Sequence, residues 1–213
     1  MKHHLEIPST RRRALHAIAL AASAAAVTSA LQGCVLLLGG AAVEGGLVLT
    51  DRRTSGAQLE DEAIELKSGQ RIHDAVGDRA HVSVTSYNRV ALITGEVPTE
   101  ADKATVVNTV KGIENVHNVD DELVVGANAT LSTISSDTVI TSRVKTALFG
   151  AKDVQSNSIK VVTARGNVYL MGLVTEREAA RATEIARNVP SVMKVVRVFE
   201  ILSEAELANL QNK

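Results

Sequence analysis

The single cysteine of the chain, Cys34, closes the sequence Leu31-Gln32-Gly33-Cys34 at the end of an apolar stretch. This pattern predicts a lipobox, the site where a bacterial signal peptidase cuts and the new N-terminal cysteine receives acyl chains such as palmitate. A basic start followed by the apolar run 14–31 is typical of a secretory signal, and small residues at positions 30 and 33 let the peptidase reach the peptide bond. We therefore expect a signal peptide over residues 1–33 and lipidation at Cys34.

Two other interpretations of this stretch stay open. Residues 14–31 are only just long enough to span a bilayer, and they are mostly alanine, which inserts weakly. Cys34 could also be an isolated thiol, because one cysteine cannot form a disulfide within the chain. The run Arg11-Arg12-Arg13 is compatible with both general and twin-arginine export.

Lipidation predicts a protein that is anchored to a membrane and does not span it. The residue after the cysteine is Val35. An aspartate there commonly retains lipoproteins of Gram-negative bacteria in the inner membrane. Its absence favours the periplasmic face of the outer membrane.

Other residues that could do chemistry are scattered. His73, His81 and His117 fall on different predicted elements, with no second His or Cys at metal-ligand spacing. The run Ser135-Ser136-Asp137 lacks the Gly-x-Ser-x-Gly context of a nucleophile elbow and is interpreted as a helix cap, while the acidic run 120–122 alternates along a predicted strand. These patterns predict no enzyme, no metal and no cofactor.

Composition adds two constraints. Aromatic residues make up 2% of the chain and tryptophan is absent, so a stacking platform for nucleic acid bases is not expected, and we predict no nucleic-acid partner. Gly95 and Gly172 have no adjoining glycine-rich run, so we expect them to allow close packing at strand ends rather than to cradle phosphate.

An internal repeat sets the organisation of the mature chain. Strands of alternating polarity occur twice in the chain. The two copies are 77 residues apart, from the pair Val82 and Ile159 to the pair Val97 and Val174, and 76 residues apart after Pro98. A match in both pattern and spacing predicts tandem copies of one fold.

Each copy shows the order helix, strand, strand, helix, strand. In the second copy, Ser136-Asp137 is expected to cap a helix whose core-facing stripe is Ile140, Val144, Ala147 and Leu148, a tight turn at 165–167 joins two strands, and Thr175 to Glu178 form a capping box. The opening helix of the first copy, Asp61 to about Val76, is less regular. We expect an α+β fold with two tandem units, each αββαβ with a three-stranded mixed sheet and two helices packed on one face.

This organisation divides the chain into five predicted segments. They are the signal peptide 1–33, a lipidated tether 34–60 that includes the polar stretch 51–56, a first unit 61–128, a second unit 136–203 and a C-terminal tail 204–213. The short linker between the units, Gly126 to Ser135, favours close contact between them.

Three stretches resemble the BON-domain family: 51–56 (DRRTSG), 136–144 (SDTVITSRV) and 168–178 (VYLMGLVTERE). Two such units behind a lipobox resemble the dual-BON outer-membrane lipoproteins over nearly all of the mature chain. The resemblance implies an outer-membrane protein facing the periplasm that binds anionic phospholipid through its second BON domain, supports outer-membrane integrity and concentrates at division sites. It also implies that the helix near Thr138 carries the lipid contacts, where an aromatic residue often stands in place of Val139.

The two units have opposite charge. Residues 61–125 contain 6 Lys and Arg against 12 Asp and Glu, a net charge of −6, whereas residues 137–202 contain 10 against 6, a net charge of +4. A basic unit suits an anionic bilayer, where each well-placed Lys or Arg contributes about 1 kcal/mol. A solvated face without a partner is the open alternative.

Helical spacing narrows the candidate lipid contacts. Val139, Arg143, Thr146 and Gly150 share a face beside the core stripe, three to four residues apart. An apolar residue with an arginine one turn later can enter the headgroup zone and pair with phosphate. Phe149 is a further candidate contact, although we expect it in the core.

Two functions follow from these patterns. The first is a phospholipid-binding lipoprotein whose second unit docks on anionic lipid. The alternative is a protein-interaction module in envelope assembly, beside the outer-membrane barrel-assembly machinery or among the regulators of cell-wall amidases. In that alternative, the acidic first unit is the natural protein-binding face.

Overall fold

The structure is a computed structural model that describes residues 51–211. The predicted signal peptide, Cys34 and most of the predicted tether lie outside the described residues. None of the helices within the described range is both long enough and apolar enough to cross a bilayer.

The described chain forms two units with the same order of elements. The first consists of α1 (Ser55–Val76), a short 3₁₀ turn (Gly77–Arg79), β1 (His81–Tyr87), β2 (Val90–Val97), α2 (Glu100–Lys111) and β3 (Asn118–Val125). The second consists of α3 (Leu131–Gly150), a 3₁₀ turn (Ser156–Ser158), β4 (Ile159–Ala164), β5 (Asn167–Val174), α4 (Glu176–Arg187) and β6 (Lys194–Ile201), and α5 (Glu204–Gln211) follows.

Each unit holds a separate three-stranded sheet, with strand orders β1-β2-β3 and β4-β5-β6. In both sheets the hairpin pair is antiparallel and the other pair is parallel. The predicted fold, two tandem αββαβ units with mixed sheets, is confirmed.

An aspartate on the opening helix fixes the hairpin turn of each unit. The turns 88–89 and 165–166 have positive φ at both central residues, as two-residue hairpins require. The Asp61 carboxylate accepts both turn amides at 2.8 and 2.7 Å, and Asp137 accepts the equivalent pair at 2.8 Å each. The predicted role of Ser136-Asp137 as a helix cap is therefore wrong, because the Asp137 side chain is bound to a turn 28 residues away.

Both opening helices begin earlier than the sequence predicts. Helix α3 begins at Leu131, where the Thr130 side chain accepts the Thr133 amide, so its start near Thr138 was wrong. Helix α1 begins at Ser55 rather than Asp61, with Thr54 as its cap. The last part of the predicted tether is thus folded, and residues 204–211 of the predicted tail form a helix.

The two repeated glycines lie where a strand crosses close to its neighbour. A Cβ on Gly95 would collide with the carbonyl oxygen of His81, and one on Gly172 would collide with that of Ser158. Close packing at the strand ends, predicted for both glycines, is confirmed.

The two helices of each unit cover one face of its sheet. In the second unit the core is built from the buried stripe of α3, the alanine-bearing face of α4 and alternate residues of the strands. Its members include Val144, Leu148, Leu170, Ala179 and Ala182. The capping box of Thr175 and Glu178 opens α4 as predicted. The first unit has the equivalent core, centred on Ile64, Ile93 and Val106.

The uncovered faces of the two sheets pack against each other. One buried cluster joins Tyr87 and Leu92 of the first unit to Tyr169, Met171 and Leu173 of the second. Burial raises the pKa of Tyr87 to about 12, so its phenol stays protonated and donates to the Ser158 carbonyl at 3.3 Å. The contact that the short linker predicted between the units is present.

Charges of opposite sign meet at the edge of this interface. Lys160 of the second unit pairs with Glu65 of the first at 2.7 Å, and Arg165 pairs with the buried Glu96 at 3.1 Å. Part of the opposite charge of the units is therefore neutralised between them.

Two partly buried arginines before α1 join the units from the side. Arg52 forms two 2.8 Å hydrogen bonds with the Glu178 carboxylate and a third with the Leu173 carbonyl. Arg53 pairs with Asp61 at 2.7 Å and lies 4.2 Å above the ring of Tyr87. The segment 51–53, predicted as a polar linker, is an arginine clasp that holds both units.

The clasp makes a testable contribution to stability. Replacing Arg52 by Met leaves the Glu178 carboxylate, whose side chain is only 6% exposed, without its cation. We expect Arg52→Met to lower the free energy of unfolding by about 3 kcal/mol at pH 7, measured by denaturant titration. The matched control is Arg79→Met, because Arg79 is largely exposed in its pair with Asp102 and should cost less than about 1 kcal/mol.

The loss of stability caused by Arg52→Met should depend on pH. Burial alone would raise the pKa of Glu178, but hydrogen bonds from Arg52 and the Thr175 backbone hold it below its usual value of 4.5. A lowered carboxylate pKa stabilises the fold above pH 4.5, and this stability is lost as the pH falls through the folded-state value. The difference between wild type and Arg52→Met should therefore narrow in acid, and an equal cost at pH 7 and pH 3 would contradict the assignment.

Candidate functional site

Helix α3 presents one stripe to the core and the rest of its surface to solvent. Ile140, Val144 and Leu148 are buried on the sheet, and successive residues point about 100° apart around a helix. The predicted site residues Val139, Arg143, Thr146, Phe149 and Gly150 are all exposed.

Phe149 is the one site residue whose predicted environment was wrong. We expected it in the core, but it is 77% exposed, whereas the preceding Leu148 is 1% exposed and fills the core position. Adjacent helical residues cannot both face the sheet, so the choice of Leu148 turns Phe149 outward.

Two concave surfaces lie along one flank of α3. The α3–α4 groove, of about 660 Å³, has an apolar floor of Ala147, Ile185 and Val189. The serine cup, of about 410 Å³, is lined by the hydroxyl residues Ser132, Ser135, Ser136 and Ser191. Arg143 lines both, which makes it the junction of the two surfaces.

The structure brings three of the predicted residues together and separates the other two. Val139 lines the serine cup and Thr146 lines the groove, on either side of Arg143. Phe149 lies on the opposite flank, where it lines a depression against β4 with Lys145 and with Thr146, which reaches both flanks. Gly150 ends the helix, and a side chain there would meet nothing within 4 Å.

Three hydroxyl groups on the outer surface of α3 are turned toward its own backbone. Thr138, Ser142 and Thr146 each donate to the carbonyl four residues earlier, at 3.0, 3.0 and 2.9 Å. Their methyl and methylene groups are thereby left outward. The part of the surface that these three residues form can therefore approach an apolar phase without leaving their hydroxyl donors unpaired.

The outer surface of α3 carries positive charge alone. Arg143 and Lys145 are exposed and form no ion pair within residues 51–211. Asp137 is the single acidic residue of the helix, and it is bound to the hairpin turn. An exposed helix with cations, apolar side chains and no outward carboxylate is suited to an anionic interface.

Three residues of the site were not predicted as such: Leu131, Ile185 and Val189. Leu131, the first residue of α3, is 83% exposed and lies on the same line as Phe149, about 27 Å along the helix axis. It was missed because the helix was started too late; Thr130, a favoured capping residue, was the available signal. Ile185 of α4 and Val189, which follows the helix, line the groove.

The other residues with chemical potential lie apart from this site. His73, His81 and His117 are all exposed, and His81 lies 3.6 Å from Glu96. Burial and the nearby Glu122 raise the pKa of Asp120, and Glu122 accepts a long hydrogen bond from Tyr169. Within the described residues, no three His, Cys, Asp or Glu side chains are arranged to hold a metal ion.

The assignment of Leu148 and Phe149 can be tested by stability. Leu148→Ala should lower the free energy of unfolding by about 2–5 kcal/mol, because it opens a cavity in the core. Phe149→Ser should change it by less than about 0.5 kcal/mol, since the ring is already in solvent. Thermal or denaturant unfolding of the two variants measures both, and a large cost for Phe149→Ser would return that ring to the core.

Comparison with known proteins identifies both units. The family model of the BON domain matches residues 60–127 and 136–203. Outer membrane lipoprotein DolP of Haemophilus influenzae is 36% identical over 174 residues, which cover 81% of this chain and 90% of that protein.

Two further relatives match about two thirds of the chain or more. The 21 kDa hemolysin of Actinobacillus pleuropneumoniae is 33% identical over 151 residues, covering 70% of this chain and 78% of that protein. Osmotically-inducible protein Y of Escherichia coli K12 is 31% identical over 145 residues, covering 66% and 72%. None of the three names is that of an enzyme. The chain belongs to the BON-domain family, as a dual-BON protein of the outer-membrane lipoprotein type that DolP represents.

Proposed function

We propose that this protein is anchored by lipid at Cys34 to the periplasmic face of the outer membrane, where its second BON domain docks on anionic phospholipid. The observation that carries the proposal is the outer surface of α3, which combines unpaired cations with exposed apolar side chains and has no outward carboxylate. The wider role is support of outer-membrane integrity, with concentration at division sites. This role is non-catalytic.

The composition of the face suits the headgroup zone of a bilayer. Arg143 and Lys145 each contribute about 1 kcal/mol near an anionic surface. Val139 is 48% exposed and buries less area than an aromatic residue would in the same place. The exposed ring of Phe149 supplies the interfacial aromatic one flank away, so the contact is shifted toward the end of the helix.

The duplicated helix of the first unit supports a division of roles. Helices α1 and α3 align with an offset of 76 residues, since Asp61 and Asp137 bind equivalent turns. Helix α1 carries Glu60, Glu62, Glu65 and Asp74 in addition to Asp61, and an anionic surface repels such a helix. The first unit is therefore turned away from the lipid.

A protein-interaction role for the first unit is the second candidate. Leu59 and Leu66 are 69% and 75% exposed on α1, two turns apart, with Glu62 between them. In α3 the same positions are Ser135 and Ser142, so the fold itself does not require leucine there. This face suits a basic, partly apolar segment of an envelope protein, such as a component of the barrel-assembly machinery or an amidase regulator.

Vesicle binding tests the lipid proposal. The mature chain with Cys34→Ser should sediment with anionic vesicles, not with zwitterionic ones, and should be released by salt because exposed charges are screened. Arg143→Glu should weaken binding about 30-fold, because it removes one attraction of about 1 kcal/mol and adds one repulsion. Co-sedimentation over a range of lipid concentrations measures this.

The chain offers a matched control. Lys67 occupies in α1 the position of Arg143 in α3, so Lys67→Glu makes the same charge change on the other unit. It should leave vesicle binding within about twofold. Equal losses in the two variants would replace the proposed face with a response to net charge, and retention of binding by Arg143→Glu would refute the site.

The anchor is tested separately. We expect mass spectrometry of the protein from membranes to find Cys34 as an acylated N-terminal residue, and Cys34→Ala to abolish acylation and leave the uncut precursor. Mature material that begins at another residue, or carries no acyl chain, would contradict the anchor without bearing on α3.

A further inference from the structure

We infer that the serine cup and the α3–α4 groove together form a discrete site for a single anionic phospholipid molecule, with its phosphate at Arg143. The inference rests on the proposed lipid-binding function and deepens it, because surface docking needs no such site.

The lining divides into a polar and an apolar half. The cup presents four serine hydroxyls, which suit the oxygen atoms of a phosphate and a hydroxyl-bearing headgroup. The groove presents Ala147, Ile185 and Val189, which suit the glycerol backbone and the first acyl carbons. Since Arg143 lines both halves, the phosphodiester that joins headgroup to glycerol belongs at its guanidinium.

The charge of the lining selects an anion. Two arginines line the combined surface and, within the described residues, no carboxylate does. Arg181 is already held by Asp153 at 2.9 Å and by Glu184 at 2.8 Å, so it forms a wall of the groove. Arg143 has no such pair within residues 51–211 and is the cation available to a ligand. A free phosphate would leave the apolar floor uncovered, which favours a lipid.

The first unit closes the same place with its own side chains. Arg71 stands where the second unit has Ala147, and it reaches across to the Gly112 carbonyl at 3.2 Å. Asn115 and Glu60, the counterparts of Ser191 and Ser136, are hydrogen-bonded to each other at 2.9 Å. The fold is therefore stable with this region filled, and the open surfaces of the second unit are not a requirement of its packing.

The apolar floor of the groove also differs between the two units. Ile185 of α4 corresponds to Thr109 of α2, and Val189, which follows α4, corresponds to Ile113, which follows α2. The Thr109 hydroxyl donates to the Thr105 carbonyl on its own helix, at 2.8 Å. The second unit thus combines a larger apolar floor with the removal of the arginine that would cover it.

Monomeric short-chain lipid tests the site. The mature chain with Cys34→Ser is titrated with dihexanoyl phosphatidylglycerol below its micelle concentration, and methyl NMR shifts are followed. We expect saturable binding of one molecule, with shifts at Ala147, Ile185 and Val189. Glycerol 3-phosphate, which lacks acyl chains, and dihexanoyl phosphatidylcholine, which is zwitterionic, should each bind at least about tenfold more weakly. Equal affinity for glycerol 3-phosphate would make this a phosphate site and overturn the lipid assignment.

Ala147→Arg distinguishes the site from surface attraction. The variant restores the side chain that closes the first unit, so monomer binding should fall at least about tenfold. It also adds a cation, so docking by charge alone would make vesicle binding tighter. Unchanged monomer binding in this variant would overturn the inference. Ile185→Thr, which copies Thr109 without changing charge, gives a second reading if Ala147→Arg perturbs folding: a loss of at least about threefold supports the site, and no loss overturns it.

Monomer binding and vesicle binding together distinguish the single-lipid site from the proposed docking on a membrane surface. Wild-type binding to anionic vesicles with no saturable monomer binding would overturn the groove and leave surface docking in place. Saturable monomer binding without vesicle binding would sustain the groove and overturn the docking.

Discussion

The sheet face that carries no helix is the constraint on which this structure depends. In each unit the helices cover one face of three strands, and the other face presents large apolar side chains, Leu92 in the first unit and Met171 in the second. Such a face is stable only when it is removed from water, and the two units bury theirs against each other. The arginine clasp depends on this packing of the two units, because Arg52 pairs with Glu178 of the second unit and Arg53 pairs with Asp61 of the first.

This packing decides where the protein can meet anything else. The helix-free face of each sheet is covered by that of the other unit, so the surfaces of the helices remain for a ligand or partner. The interface also takes up Lys160 and Arg165, two of the ten basic residues of the second unit, in pairs with Glu65 and Glu96. The positive charge that stays available is therefore concentrated on the helices, and on α3 it is not offset by any outward carboxylate.

Local patterns predicted most of the fold, and contacts between distant residues limited the rest. The repeat offset, the α3 core stripe and the Thr175 capping box depend on neighbours within a few positions. All are confirmed except for one member of the stripe, Ala147, which is only half-buried. Asp137 next to Ser136 has the local appearance of a cap, but its partner is a turn 28 residues away. The clasp joins Arg52 to Glu178, 126 residues apart, so a local reading of DRRTSG as a linker could not find it. Phe149 was misplaced because two adjacent apolar residues compete for one core position, and the helix phase that selects Leu148 is set by the sheet.

Because the fold occurs twice in the chain, equivalent positions of the two units can be compared. Positions that act the same way in both units, Asp61 with Asp137 and Gly95 with Gly172, are required by the turn and by the strand crossing. The hydroxyl of Ser68 is buried where the second unit has Val144, and it has no hydrogen-bond partner among residues 51–211. This unsatisfied group destabilises the core of the first unit. Where the units differ on the outside, packing does not dictate the residue. The serines, Ala147 and Arg143 of the second unit belong to this class, which is why they bear on a ligand and the core does not.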